Sequence, residues 1–219
     1  MEKEHVPQVI SILREEFKKW NAPVVSLIAQ KTGDPFRVLV CALLSTRTKD
    51  EVTAQVCSKL FSRIRSIDDL INIPEEELAS LIYPVGFYRN KAKFLKRLAE
   101  ELKKEFAGKV PDRIEDLLKL KGVGRKVANL VLADGFNKPA ICVDTHVHRI
   151  TNRWSLVKTK TPYQTEKALM EVLPIEYWQE FNRLLVAFGQ TICRPVKPLC
   201  HKCPIRDYCD FFKKTSGSA

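Results

Sequence analysis

Two residues of the chain, Lys126 and Asp144, have the types that a covalent reaction at a sugar carbon requires. Lys126 follows a glycine turn at the predicted start of a helix. A helix N-terminus disfavours an ammonium, and so does the neighbouring guanidinium of Arg125, so both favour the neutral amine that forms a Schiff base. Asp144 is a predicted helix N-cap, where backbone donors keep a carboxylate ionised. Such an anion can stabilise the positive charge that develops on a sugar when a glycosidic bond breaks.

Both residues also have a plain structural interpretation. Aspartate is common at N-caps, and a lysine after a glycine turn often contacts a phosphate or solvent. On their own, Lys126 and Asp144 therefore leave a catalytic pair and two unrelated surface residues both open.

The element that must position Lys126 is the segment 119–128, whose pattern predicts helix, hairpin and helix. Apolar residues recur at helical spacing on both sides of Gly122-Val123-Gly124. The two glycines let the backbone adopt φ > 0 and approach a partner closely. The amides at the start of the second helix, flanked by Lys121 and Arg125, then form a site for a phosphate. An ordinary glycine-capped turn is the alternative.

Four cysteines near the C-terminus are separated by six, two and five residues: Cys193, Cys200, Cys203 and Cys209. Four thiolates so close in sequence can surround one centre, and sulfur ligation of this kind indicates zinc or an iron–sulfur cluster. Zinc sites usually use two Cys-x-x-Cys pairs, whereas this segment has one, so the wide first gap favours the cluster.

The remaining cysteines, Cys41, Cys57 and Cys142, lie in apolar contexts and are predicted to be inert core residues. A chain of 219 residues with a net charge of +11 and a pI near 9.4 favours a polyanionic partner, nucleic acid first. No apolar run is long enough for a membrane span, and the charged N-terminus is unlike a targeting peptide. We expect a cytoplasmic, prokaryotic protein without disulfides or a membrane partner, and by default a monomer.

Helical periodicity runs through most of the chain, and no sustained alternation predicts a strand, so we predict an all-α fold. Asp34-Pro35 predicts an N-cap and a first helical residue, opening an apolar helix through Leu44. A long helix after the loop 86–90 is predicted to turn Phe94, Leu95 and Leu98 inward.

Three features in this order, Leu120–Lys126, Val143–His146 and the cysteine spacing, resemble the endonuclease III family of DNA glycosylases in the helix-hairpin-helix superfamily. The resemblance extends from about Val24 to Cys209. It implies a two-lobed all-α fold in which a six-helix bundle over 28–138 contains the hairpin. The other lobe, 1–27 with 139–219, would hold a [4Fe-4S] cluster in the loop 193–209, with DNA across the cleft between the lobes.

The resemblance implies a bifunctional enzyme of base excision repair, a DNA N-glycosylase and AP lyase. Its partner would be double-stranded DNA with an oxidised pyrimidine or an abasic site, and the lesion nucleotide would be flipped out of the stack. Lys126 aligns with the family's Schiff-base lysine and Asp144 with its essential aspartate. The cluster ligands align with Cys193, Cys200, Cys203 and Cys209.

The resemblance also implies DNA contacts. The amides of Gly122 and Gly124 would hold a backbone phosphate, and the loop 86–89 resembles the loop that wedges into the duplex, with Phe87 as the intercalating residue. Arg47 stands where the family most often has a glutamine that fills the space of the flipped base, so the lesion range and opposite-base preference stay open. The predicted DNA contacts are Arg47, Phe87, Tyr88, Arg89, Lys121, Gly122, Val123, Gly124, Arg125 and His146.

Three rival functions account for part of the pattern. A monofunctional mismatch glycosylase of the same superfamily would keep the aspartate but generally lacks the lysine, so Lys126 argues against it. A non-catalytic DNA-binding iron–sulfur protein would need neither Lys126 nor Asp144. An electron-transfer protein would leave the net charge of +11 and the hairpin unexplained.

Overall fold

The computed structural model describes residues 1–216, and within that range the regular structure is entirely helical. The all-α prediction is therefore confirmed. In chain order the α-helices are α1 (Val6–Phe17), α2 (Val24–Thr32), α3 (Pro35–Ser45), α4 (Asp50–Arg63), α5 (Ile67–Asn72), α6 (Glu75–Ile82), α7 (Tyr88–Glu105), α8 (Ile114–Leu117), α9 (Arg125–Leu130), α10 (Thr145–Arg153), α11 (Pro162–Val172), α12 (Trp178–Thr191) and α13 (Asp210–Ser216).

The chain divides into two compact units. One is Val24–Lys138, and the other combines Met1–Pro23 with the segment that starts at Pro139. The predicted first lobe begins at residue 28, whereas this unit begins four residues earlier because it includes all of α2, a helix that the sequence pattern did not predict. Residues 217–219 of the predicted second lobe lie outside the described residues. None of the described helices is long and apolar enough to cross a membrane.

The unit 24–138 is built around α3. Asp34 caps this helix by accepting a hydrogen bond from the Phe36 amide at 2.9 Å, and Pro35 fills the first helical position. Every residue from Val38 to Leu44 is buried, so α3 is apolar on all sides and lies in the core. It packs against α2, α4 and the π-helical turn Val131–Gly135 that continues α9.

A disulfide joins α3 to α4 inside this core. Cys41 and Cys57 are both buried, their Cα atoms are 6.2 Å apart, and they are 16 residues apart in sequence. The prediction of inert, unpaired cysteines is wrong for this pair, because the pairing depends on how two helices pack and not on local sequence. Cys142 is buried, as predicted.

The second unit has its own apolar core, formed by α1, α10, α11 and α12. Ile10 and Leu13 of α1 and Phe181 of α12 are completely buried in it. The core extends into the cysteine segment, where Ile205 is fully buried and Cys209 is 8% exposed. At its edge the buried carboxylate of Glu180 accepts a hydrogen bond from Arg14 Nε at 2.9 Å, which fastens α1 to α12.

Candidate functional site

The predicted hairpin forms between α8 and α9, and its two glycines differ. Gly122 has φ +86°, the left-handed region that favours glycine, whereas Gly124 has φ −91° and is the N-cap of α9. Only Gly122 therefore needs the conformational freedom predicted for both. Val123 between them is buried, and the Lys121 amide donates to Glu101 Oε2 at 2.8 Å.

Lys126 is the second residue of α9, directly after Arg125, and both side chains are half-buried. No side chain caps the N-terminus of α9. The first-turn amides of this helix, the partial positive charge of its N-terminus and Lys126 thus occupy one place, as the sequence predicts.

A second lysine, which the sequence analysis did not single out, lies near Lys126. Lys91 in the first turn of α7 is only 8% exposed. Its Nζ donates to Leu44 O at 2.8 Å, Thr46 O at 2.6 Å and Thr48 Oγ1 at 3.3 Å. Burial, and after it the positive charge of Lys126, lower the pKa of Lys91 to about 8.

A sequence signal for Lys91 exists. Lys91 lies on the same face of α7 as three leucines that point into the core, at positions 95, 98 and 102. A lysine on the apolar face of a helix is a candidate for a buried, fully hydrogen-bonded cation. Phe94, predicted to face inward, is instead 40% exposed, and a Cβ at Gly122 would lie 3.7 Å from its ring.

The structure brings the two segments with predicted base-stack contacts together. Arg47 is exposed with φ +54°, and its guanidinium lies 5.5 Å from the centre of the Phe87 ring. Phe87 has φ +58° and is 60% exposed. Between them Gly86 is required, because a Cβ there would lie 2.5 Å from Arg47 O, and its amide donates to Thr48 Oγ1 at 3.1 Å.

These groups surround one cavity of about 330 Å³. Arg47, Phe87, Lys91 and Phe94 line it, and so does Gly122 of the hairpin. Beside it, Tyr88 is half-buried and packs edge-on against Tyr83 at a ring distance of 5.3 Å. Exposed Arg89 places its guanidinium 5.7 Å from the Tyr88 ring.

In the second unit, Asp144 is the N-cap of α10, as predicted. Its Oδ1 accepts hydrogen bonds from the amides of His146 and Val147, both at 2.9 Å. His146 Nδ1 lies 3.1 Å from Arg149 Nη2. The ring of His146 fits only because α12 has a glycine there, since a Cβ at Gly189 would lie 2.4 Å from Nδ1.

The other end of α10 holds the cysteine loop. Arg149 Nη2 donates to Cys193 O at 2.8 Å. Arg153 donates to Cys193 Sγ at 3.4 Å, to Arg194 O at 2.7 Å and to Pro195 O at 2.8 Å. These two arginines therefore fix the first cysteine and the residues after it.

The four predicted sulfur ligands line a single cavity, together with Trp154, Phe188 and Phe211 among others. Burial raises the pKa of Cys203 to about 12 and also raises that of Cys200 and Cys209, so metal binding would have to stabilise the thiolates. Within residues 1–216, no three His, Cys, Asp or Glu side chains are placed to hold one metal ion. Four cysteines that line one cavity fit a cluster held by four thiolates.

Comparisons with known proteins agree with this geometry. A model of the HhH-GPD superfamily of base excision DNA repair proteins matches residues 40–175. Endonuclease III of Thermotoga maritima is 47% identical over 84% of this chain and 86% of its own length, and that of Bacillus subtilis 37% over 80% and 81%. The chain belongs to the endonuclease III family.

The match to endonuclease III includes its cofactor segment and its fold. A model of the iron–sulfur binding domain of endonuclease III matches residues 193–209, and the predicted [4Fe-4S] cofactor is confirmed. A non-covalent endonuclease III–DNA complex and a trapped endonuclease III–DNA covalent intermediate both match with a TM-score of 0.88 and 32% identity over 99% of each chain. A thermostable thymine-DNA glycosylase matches with 0.77 and 28%, over 85% and 88%. The protein is a DNA glycosylase of base excision repair.

Proposed function

We propose that this member of the endonuclease III family is bifunctional: it excises oxidised pyrimidines from duplex DNA through an imine on Lys126 and then cuts the strand as an AP lyase. The observation that carries the proposal is the position of Lys126, half-buried at the N-terminus of the helix that follows the hairpin. A trapped covalent intermediate of endonuclease III with DNA supports a route in which the protein bonds to the DNA. A thymine glycol or an abasic site would be typical of the substrates.

In the first step, Lys126 Nζ bonds to C1′ of the damaged nucleotide as the bond from C1′ to the base breaks and the base leaves. Asp144, whose carboxylate is held by two amides of α10, accepts a proton from the amine and stabilises the positive charge on the sugar. Its hydrogen bonds to α10 fix the anion in place before the substrate arrives.

In the second step, the sugar ring opens and the Lys126 adduct becomes an imine. The imine makes the C2′ protons acidic, and loss of one of them expels the 3′ phosphate by β-elimination. Hydrolysis of the imine then regenerates the amine. An amine nucleophile links base removal to strand cleavage in this way, whereas attack by water would release the base without forming an imine.

The DNA contacts follow from the same proposal. The hairpin, Lys121 to Arg125, would hold a backbone phosphate through the amides around Gly122 and Gly124. Phe87, exposed at a positive φ, would enter the stack, and Arg47 would fill the space of the flipped base. Tyr88, Arg89 and His146 would contact the strand, and one active lysine per chain would suffice for a monomer.

We assign the cluster ligands to Cys193, Cys200, Cys203 and Cys209, because these four sulfurs line one cavity. When bound, the cluster would cross-link a loop that has only short 3₁₀ turns, Cys200–Lys202 and Arg206–Tyr208. Its role is then to hold this loop and the helix after it in place.

Borohydride trapping on a duplex with one thymine glycol tests the proposal. Wild-type protein should give a covalent protein–DNA adduct and, without borohydride, a cut strand. Lys126→Gln should give neither, and Asp144→Asn should slow both. Lys119→Gln is the matched control, since this exposed lysine lies seven residues earlier, outside the segment proposed to hold the phosphate, and the variant should still be trapped.

Two outcomes would contradict the proposal. Base release without trapping by wild-type protein would indicate a monofunctional glycosylase, and binding without base release would indicate a non-catalytic protein. Trapping by Lys126→Gln would assign the imine to a different amine.

A further inference from the structure

Two lysines of α7 each donate hydrogen bonds to carbonyls at the C-terminal end of another helix. Lys91 donates to the carbonyls of Leu44 and Thr46, at the C-terminal end of α3. Lys96 donates to the carbonyls of Ile71 and Ile73, at the C-terminal end of α5. A cation at a helix C-terminus satisfies carbonyls that have no partner in the helix and opposes their partial negative charge. Only one of the two, Lys91, lies at the candidate site.

The turn that Lys91 holds carries Arg47. Leu44 and Thr46 precede this residue and Thr48 follows it, so the ammonium bonds to both sides of Arg47. Thr48 Oγ1 also accepts from the Gly86 amide, one residue before Phe87. Lys91, Thr48 and Gly86 therefore connect the turn of Arg47 with the loop of Phe87 through a continuous set of hydrogen bonds.

The backbone around this connection is constrained. Arg47 and Phe87 both have positive φ, which for residues with a side chain persists only where the surroundings hold it. The stacking of the Arg47 guanidinium on the Phe87 ring, at 5.5 Å, depends on both conformations. Phe87 is 60% exposed, whereas Lys91 is buried and bonds to the turn that carries Arg47, so Lys91 restrains this pair from the interior.

We propose that Lys91 is a positioning residue that fixes Arg47 against Phe87 and thereby sets how the enzyme distinguishes the base opposite the lesion. The proposal rests on the proposed function, in which these two side chains enter the base stack. Arginine has donors in a fixed fork and no acceptor, so its orientation decides which base edge it can recognise. An Arg47 turn without its anchor would still carry the charge but would present the fork in many orientations.

Lys91 also adds a positive charge near Lys126. Burial, and after it the charge of Lys126, lower the pKa of Lys91 to about 8, so the ammonium that holds the turn loses its proton near physiological pH. Recognition of the opposite base is therefore expected to change with pH in wild type and to lose that dependence without Lys91, which a lysine with only a structural role would not cause.

The test measures single-turnover excision of thymine glycol opposite each of the four bases, by wild-type protein, Lys91→Met and Lys96→Met. Lys96→Met is the matched control, since it removes the same side chain and the same kind of carbonyl cap from the same helix. The quantity compared is the spread, the ratio of the fastest to the slowest excision rate among the four opposite bases. Because an oriented arginine discriminates between base edges, this ratio should be roughly tenfold or more in wild type. Lys91→Met should narrow that spread to about twofold, and Lys96→Met should retain it, whatever each does to thermal stability.

A milder variant keeps the test decisive if Lys91→Met folds poorly. Thr48→Ala removes the hydroxyl that accepts from Lys91 and Gly86 but leaves the buried ammonium and its two carbonyl partners. Thr48→Ala should also reduce the difference between excision rates opposite the four bases, but by less than Lys91→Met does. The pH dependence of the excision rates adds a second readout: the difference between opposite bases should shrink in wild type and in Lys96→Met as the pH rises through about 8, and should not change with pH in Lys91→Met.

The outcomes separate the inference from the proposed function. No excision by wild type would overturn both. Equal excision opposite all four bases by wild type, or a difference between opposite bases that Lys91→Met retains, would overturn the role of Lys91 and leave the glycosylase proposal intact.

Discussion

Two segments without regular structure, the turn around Arg47 in one unit and the cysteine loop in the other, are held by the same device. In each, a cationic side chain from a nearby helix donates to two carbonyls in or directly before the segment: Lys91 to Leu44 and Thr46, and Arg153 to Arg194 and Pro195. Each unit also has a glycine whose missing side chain makes room for a neighbour. At Gly86 the neighbour is the carbonyl oxygen of Arg47, and at Gly189 it is the ring of His146.

The difference between the two anchors is the chemistry of the cation. Arginine stays charged at any pH the protein meets, whereas a buried lysine loses its proton readily. Burial brings the pKa of Lys91 to about 8. The comparison teaches that the loop is held permanently, while the turn beside the proposed nucleophile is held by a bond that weakens within reach of physiological pH.

The largest effect is expected from the anchor of the loop. Arg153→Met removes the donors to Cys193 Sγ and to two carbonyls that follow it. Loss of an outer partner of a metal ligand typically lowers metal affinity about 10- to 100-fold, so the variant should lose iron and its visible absorbance much faster under a chelator. Iron content over time measures this.

Arg194→Met is the control for that experiment. This exposed arginine lies in the same loop but donates through Nε to Thr191 O and touches no sulfur. Equal iron loss in the two variants would contradict the anchoring role of Arg153. The cysteine loop and the turn of Arg47 would then not be held in the same way.

The next effect compares the two close approaches. Alanine at position 86 would press on a backbone oxygen, which moves only with the turn, whereas alanine at 189 would press on an imidazole ring, which can rotate. Gly86→Ala should therefore lower the free energy of unfolding by about 1–3 kcal/mol. Gly189→Ala should lower the free energy of unfolding by less, because alanine stabilises a helix by about 1 kcal/mol relative to glycine. Urea unfolding of both variants measures the difference.

Gly124→Ala provides the reference, since a Cβ there meets nothing within 4 Å and φ is −91°. It should change stability by less than about 0.5 kcal/mol. If Gly86→Ala proves as mild as Gly124→Ala, the turn of Arg47 is loose enough to yield, and its proposed rigidity is wrong.

Local features of this fold could be predicted from the sequence. Asp34 and Asp144 cap their helices as expected, because an N-cap depends on a side chain and amides two or three residues later. The hairpin and the placement of Lys126 follow from the same short-range pattern. The cysteine spacing favoured an iron–sulfur cluster over zinc, and the match of residues 193–209 to the iron–sulfur binding domain of endonuclease III confirmed it.

Contacts between distant segments could not be predicted in the same way. The disulfide of Cys41 and Cys57 requires the packing of two helices. The hydrogen bonds of Lys91 span more than 40 residues, and those of Arg153 about as many. The sequence does not show which lysines and arginines of a basic protein hold a loop in place and which are solvated or bind DNA. The structure shows it, because it reveals the carbonyls to which each side chain donates.

The most specific effect is the pH dependence of the turn. Below its pKa of about 8 the folded protein carries a buried ammonium at Lys91; between 8 and the ordinary 10.5 the unfolded chain binds this proton and the folded protein does not. The contribution of Lys91 to the free energy of unfolding therefore rises with pH across that window, by at most about 1.4 kcal/mol per unit. The charged groups that face Lys91 are Lys126 on α9 and Arg47 on the turn, and its three acceptors are uncharged.

Unfolding of wild type and Lys91→Met on both sides of pH 8 measures this contribution as a difference, in which other titrating groups cancel. Wild type should gain stability relative to Lys91→Met as the pH rises, while its opposite-base spread should narrow as the ammonium is lost. Wild type and Arg153→Met should show no such divergence, because arginine does not titrate in this range. Parallel curves for wild type and Lys91→Met would mean that the turn, like the loop, has a permanent anchor, and the contrast between the two segments would fail.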